Sequence, residues 1–87
     1  MSWQIVLTKQ AAKDAQKLVN AGIWSNAERL LAILEVNPFQ NPPPYEKLVG
    51  NLAGYYSRRI NIQHRLVYQV CKEVNTVKIV RMWTHYE

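Results

Sequence analysis

Four prolines fall between residues 38 and 44, and three of them, Pro42-Pro43-Pro44, are consecutive. No helix interior or central strand runs through such a segment, because each proline lacks an N–H and fixes φ. The chain is therefore divided. Residues before Asn37 carry helical spacing, and residues after Gly54 carry strand-like runs. The segment between reads as a stiff, extended connector from a helical layer to a sheet. Its shortness and internal position argue against a ligand for a proline-recognition module.

The first half opens with a short strand over Trp3 to Leu7, where Trp3, Ile5 and Leu7 share one side. Thr8 is placed to cap a helix in which Ala11, Ala12, Ala15, Leu18 and Val19 follow helical spacing. Lys9, Lys13 and Lys17 line the opposite face, as solvated lysines commonly do, and Gly22 ends the helix. Ser25-Asn26-Ala27-Glu28 has the form of a capping box and predicts the start of a second helix. Ala27, Leu30, Leu31 and Leu34 give that helix its apolar face, and Asn37-Pro38 stops it. So short a turn between the helices predicts an antiparallel hairpin packed on a sheet.

Tyr45 to Gly54 reads as loop, anchored by Leu48 and Leu52. Three strands follow: Tyr55 to Ile62, Arg65 to Val74, and Val77 to Tyr86. On the first, Tyr56, Ile60 and Ile62 share one face, and Tyr55, Ser57, Arg59 and Asn61 form a polar-aromatic face on the other. The expected fold class is α+β with element order βααβββ, an antiparallel sheet packed against two N-terminal helices. At 87 residues it forms a single domain, 1–87.

A lone cysteine, Cys71, excludes an internal disulfide and reads as a small apolar residue within a strand. Met1-Ser2-Trp3-Gln4 lacks a charged start followed by an apolar run, so no signal peptide is expected. No apolar stretch approaches the length of a membrane span, and the expected location is the cytosol. The net charge of +5 is unevenly placed. Residues 1–46 carry four basic and four acidic groups, whereas residues 47–87 carry seven basic and two acidic. The whole excess lies in the half that holds Arg58, Arg59 and Arg65, which points to a polyanion or an acidic protein as partner, or to a merely basic surface.

His64 and His85 lack metal-ligand spacing, so no metal is expected. The sequence has no glycine-rich phosphate loop and no nucleophile elbow, so no cofactor is expected either. What remains is a set of Glu, Arg and His. Cleavage within RNA requires a base for the 2′-hydroxyl proton, cations for the charge growing on phosphorus, and an acid for the departing 5′-oxygen. Glu46 can serve as base, Arg59 and Arg65 as clamps and His85 as acid. Each also has an ordinary reading, as loop carboxylate, solvated strand residues and chain terminus.

The ordered set Glu46-Lys47-Leu48, then the block from Gly50 to Ile60 with Gly54-Tyr55-Tyr56-Ser57-Arg58-Arg59-Ile60, then His64-Arg65-Leu66-Val67-Tyr68, then His85-Tyr86, resembles the YoeB/Txe family of bacterial toxins in the RelE/ParE superfamily. The resemblance is dense over residues 46–68 and at the C-terminus, and architectural before that. It implies a microbial-ribonuclease-like fold of RelE/YoeB type. It also implies a metal-independent, ribosome-dependent mRNA endoribonuclease whose product ends in a cyclic 2′,3′-phosphate. By position it implies Glu46 as general base, Arg65 as transition-state arginine and His85 as general acid, with Arg59, Tyr86 and Lys47 binding substrate. The implied partners are the 70S ribosome, mRNA and an acidic, Phd/YefM-like antitoxin through which operator DNA would be reached; a homodimer is compatible with it. Two departures are Val49, where a basic residue is common, and Glu87 beyond the His-Tyr pair. Arg58 is expected to make a structural ion pair or an antitoxin contact, His64 to serve turn and strand packing, and Trp83 to lie in the core or on a partner surface. A gyrase poison of the same superfamily and a non-catalytic co-repressor module are the competing functions.

Overall fold

A computed structural model describes residues 2–50 and 54–83. Two of the six expected site residues, His85 and Tyr86, lie outside these residues, as does Glu87.

Strand β1 (Gln4–Leu7) leads into helix α1 (Lys9–Asn20). Thr8 is the N-cap, and its Oγ1 accepts the Ala11 N–H at 3.1 Å. Ala11, Asp14 and Leu18 form the buried stripe of α1, while Ala12 and Val19, assigned above to the apolar face, are exposed. The chain turns at Gly22 with φ +75, a conformation that glycine adopts without strain. Helix α2 (Trp24–Val36) starts earlier than the capping box predicts, and its N-cap is Ile23, which makes no side-chain cap bond. The reason lies in the tight turn. Ile23 packs against the core and its N–H donates to Leu18 O at 3.0 Å, which places Ser25 already inside the first helical turn. The helix stops at Asn37 as expected, and Asn37 Oδ1 accepts the Phe39 N–H.

The sheet has five strands in the order β1-β5-β4-β3-β2. β3 (Tyr55–Arg59), β4 (Arg65–Cys71) and β5 (Thr76–Arg81) form the antiparallel meander foreseen from sequence. Two features were not foreseen. β1 joins β5 in parallel, so the sheet is mixed at that edge. A two-residue strand β2 (Glu46–Lys47) pairs with β3 at the other edge, inside the segment expected to be loop. The strands also end sooner than the sequence suggests. Asn61 Oδ1 accepts the N–H groups of Gln63 and His64 and so closes the β3–β4 turn, and a 3-10 turn over Lys72–Val74 ends β4.

Both helices cover one face of the sheet. Leu18, Leu30, Leu34, Leu66, Tyr68, Val77, Ile79 and Met82 make the shared core. A register shift at Val67/Tyr68 breaks the alternation of β4 against β5, and Leu66, Val67 and Tyr68 are buried in succession. Cys71 is half-buried at the end of β4.

Candidate active site

Strand register builds the site. Glu46 lies opposite Ser57, Ser57 opposite Val67, and Arg59 opposite Arg65. Side chains of paired residues point to the same face, and residues two apart on one strand do as well. Glu46, Ser57, Arg59 and Arg65 therefore share the face of the sheet away from the helices. Lys47 pairs with Tyr56, which pairs with Tyr68, so Lys47 belongs to the opposite face and does not line the cleft described next.

Pro44, Glu46, Arg59 and Arg65 line an open cleft of about 320 Å³. The Arg65 side chain is 13% exposed and that of Glu46 61%. Arg65 Nη2 donates to Glu46 Oε1 at 2.5 Å, and Arg65 Nε donates to Ser57 Oγ at 3.2 Å. Ser57, expected on an open polar-aromatic face, is instead fully buried, and it fixes the orientation of Arg65. Arg59 is exposed, and no carboxylate is paired with it among the described residues. The cleft thus holds one carboxylate beside two guanidinium groups, a donor set suited to a phosphate ester and poor for a cation.

The loop that carries Glu46 is held from beneath by Arg58. Its guanidinium donates to the carbonyl oxygens of Pro43 (2.6 Å), Gln40 (2.8 Å) and Pro38 (3.1 Å), and through Nε to Tyr68 Oη. Tyr68 Oη in turn donates to Pro38 O. Burial pushes the Tyr68 phenol up from its ordinary pKa, against the opposing pull of Arg58. Tyr45 packs edge-on to Tyr56 and lies under the Arg58 guanidinium at 5.0 Å. Arg58 is structural, as expected, but its partners are backbone carbonyls rather than a carboxylate.

A second anchor holds the end of β5. Asp14, fully buried in α1, accepts hydrogen bonds from Arg81 Nε (2.8 Å), Met82 N (3.0 Å), Trp83 N (3.2 Å) and Gln10 Nε2 (3.0 Å). Burial alone would raise the Asp14 pKa, but the Arg81 guanidinium and the backbone N–H groups outweigh it and hold the carboxyl below its ordinary value. Trp83 packs against the core and stacks on the buried His64 ring with centroids 3.9 Å apart. The sequence reasoning missed Asp14 and Ser57. The signal for Asp14 was its place between Ala11 and Leu18 in an otherwise apolar stripe.

The family profile described as "YoeB-like toxin of bacterial type II toxin-antitoxin system" matches residues 8–86. The chain belongs to this family. The toxin is 41% identical to the Toxin YoeB of Streptomyces coelicolor over 64 residues, 74% of each chain. Its fold matches the YoeB/ParE toxin of Agrobacterium tumefaciens with a TM-score of 0.86 at 28% identity, covering 95% of this toxin and 99% of that chain. It also matches a chain of the heterotetrameric YoeB-YefM toxin-antitoxin complex from Staphylococcus aureus, with a TM-score of 0.80 at 35% identity over 99% and 100% of the two chains. Among the described residues no helix is long and apolar enough to cross a membrane.

Proposed function

We propose that the toxin is an mRNA endoribonuclease that acts on the ribosome in the cytoplasm and is neutralised by a cognate acidic antitoxin. The observation that carries this reading is the juxtaposition of Glu46 and Arg65, with Arg59, in one open cleft. The Glu46 carboxylate takes the proton of a substrate 2′-hydroxyl. The 2′-oxygen attacks the adjoining phosphorus, Arg65 and Arg59 hold the charge that accumulates on the phosphoryl oxygens, and His85 gives a proton to the departing 5′-oxygen. The products are a 2′,3′-cyclic phosphate and a 5′-hydroxyl. The nucleophile comes from the substrate and the charge is met by guanidinium groups, so this chemistry needs no metal. Tyr86, the residue after the acid in sequence, binds substrate, and Lys47, on the other sheet face, meets more distant phosphates.

The excess of basic charge after residue 46 suits RNA and also an acidic antitoxin folding over the same surface. The Staphylococcus relative assembles with YefM as a heterotetramer, and a comparable complex with a YefM-like antitoxin is proposed here. The test is primer extension on an mRNA translated in a purified system, with wild type beside His85→Ala. Discrete breaks that require both ribosomes and wild type support the reading. Absence of breaks with folded wild type overturns it, and a gyrase supercoiling assay then follows.

A further inference from the structure

A second groove opens beside the cleft and shares Arg59 with it. Its volume is about 380 Å³. Leu30 and Ile60, both nearly fully buried, form its floor, and Ile33 and Pro43 are its half-buried walls. Asn26 and Arg29 rise from α2 at its edge. They are three residues apart and so adjoin on one helix face. No carboxylate lines the groove, and among the described residues neither Arg29 nor Arg59 is in an ion pair.

We propose that this groove seats the nucleobase adjoining the scissile phosphate, an inference that rests on the nuclease reading of the cleft. An apolar floor accepts the face of a base, as flat aromatic heterocycles pack on aliphatic and proline surfaces. The Asn26 amide offers both a donor and an acceptor to the base edge. Arg59 stands between the two recesses, and Pro43 and Pro44 are consecutive on the loop that borders both. A strand whose phosphate is held at Arg59 and Arg65 therefore continues directly into the groove, where Arg29 meets the next phosphate. Two guanidinium groups without a carboxylate match a phosphodiester chain in charge. An acidic antitoxin segment is the other occupant that this charge admits, and the experiment separates the two.

The test measures binding, so it does not depend on turnover. A fluorescent, uncleavable 2′-fluoro RNA oligonucleotide is titrated with toxin, beside a set in which one abasic residue is stepped along the strand. For wild type, one abasic position is expected to weaken binding about tenfold, the size of one base's contact. Asn26→Ala should bring that ratio close to one. Arg29→Ala should weaken every oligonucleotide and reduce the slope of log affinity against log salt by about one. Arg29 is exposed and Asn26 half-buried at the groove's edge, and alanine favours the helix at both positions, so the fold should stay intact, which circular dichroism checks. The proposal is overturned if no abasic position matters to wild type, if wild type does not bind the RNA, or if both variants keep the wild-type ratio and slope. It is equally overturned if Arg29→Ala weakens only the complex with the antitoxin. A persistent abasic effect in a toxin that cuts no mRNA would retain the groove as an RNA site and sink the nuclease reading. Normal cutting without any abasic effect would do the reverse.

Discussion

Arg65 Nη2 donates to Glu46 Oε1 at 2.5 Å, so the proposed base and the proposed transition-state cation hold each other in the cleft. The bond joins β4 to the edge strand β2 and fixes where the carboxylate sits. It also means that an incoming phosphate competes with Glu46 for Arg65. Glu46 is mostly exposed, and an exposed pair of this kind contributes less than about 1 kcal/mol to folding. Glu46→Ala and Glu46→Gln should therefore melt close to wild type, within about 3 °C. Both should nevertheless cut mRNA about 10²- to 10⁴-fold more slowly, because the amide keeps the shape and loses the base. Arg65→Lys should lose about 10²-fold, since a point charge cannot replace the fork that reaches both Ser57 and the substrate. Single-turnover cleavage in a programmed translation mix measures these rates. Glutamine at position 46 with wild-type activity would remove Glu46 from the mechanism.

Arg58 acts on the same carboxylate from the other side of the sheet. Its guanidinium satisfies three carbonyl groups of the proline-rich loop and lies over the ring of Tyr45, the residue before Glu46. Arg58→Met fills much of the volume but leaves the Gln40 and Pro43 carbonyls without their side-chain donor and Pro38 with Tyr68 alone, so it should cost about 3 kcal/mol or more. Tyr68→Phe removes one donor to Pro38 and should cost about 1–2 kcal/mol. Urea unfolding followed by fluorescence reads both. Arg58→Met should also reduce cleavage beyond what its unfolded fraction explains, because Glu46 is no longer held. A variant as stable as wild type would show that the loop does not depend on this anchor.

Much of this architecture can be read from local chemistry. Thr8 caps α1, Gly22 turns the chain and Asn37-Pro38 stops α2, each through a contact within a few residues. What escapes depends on distant partners. β2 is two exposed residues with no alternation to detect, and it exists because Ser57 and Tyr56 offer it a ladder. β1 joins β5 in parallel across more than seventy residues of chain. The site divides in the same way. Alternation along β3 sets Arg59 and Ser57 on one face from sequence alone, but only the β2–β3 register brings Glu46 to them. The burial of Ser57 likewise follows from Arg65 lying across it, which no pattern within β3 reveals.

Asp14 makes stability depend on pH. Its carboxyl is held below its ordinary pKa in the folded chain, so the unfolded chain takes up a proton more readily. Its contribution is therefore complete above the ordinary aspartate value of 3.8 and is lost as pH falls through that value and below. Asp14→Asn keeps an acceptor for the Met82 and Trp83 N–H groups but loses the charge opposite Arg81. It should cost about 1–3 kcal/mol at neutral pH, and Asp14→Ala about 3–5 kcal/mol. The gap between wild type and Asp14→Asn should narrow in urea unfolding at pH 3. A gap that stays constant between pH 7 and pH 3 would show that the ionised carboxylate is not the source.

Met82 and Trp83 are tied to Asp14, and Trp83 stacks on His64, so the chain is fixed just ahead of His85. If Glu46 accepts a proton and His85 gives one, cleavage requires the first ionised and the second protonated. The rate should rise with pH as Glu46 loses its proton and fall again as His85 loses its own, a bell-shaped profile. His85→Ala should be about 10²- to 10⁴-fold slower and should lose the falling limb, because no titrating acid remains. Glu46→Gln should lose the rising limb in the same way. The measurement is single-turnover cleavage across pH with the ribosome complex preformed, which keeps association from limiting the rate. A falling limb that persists in His85→Ala would assign the donated proton to another group.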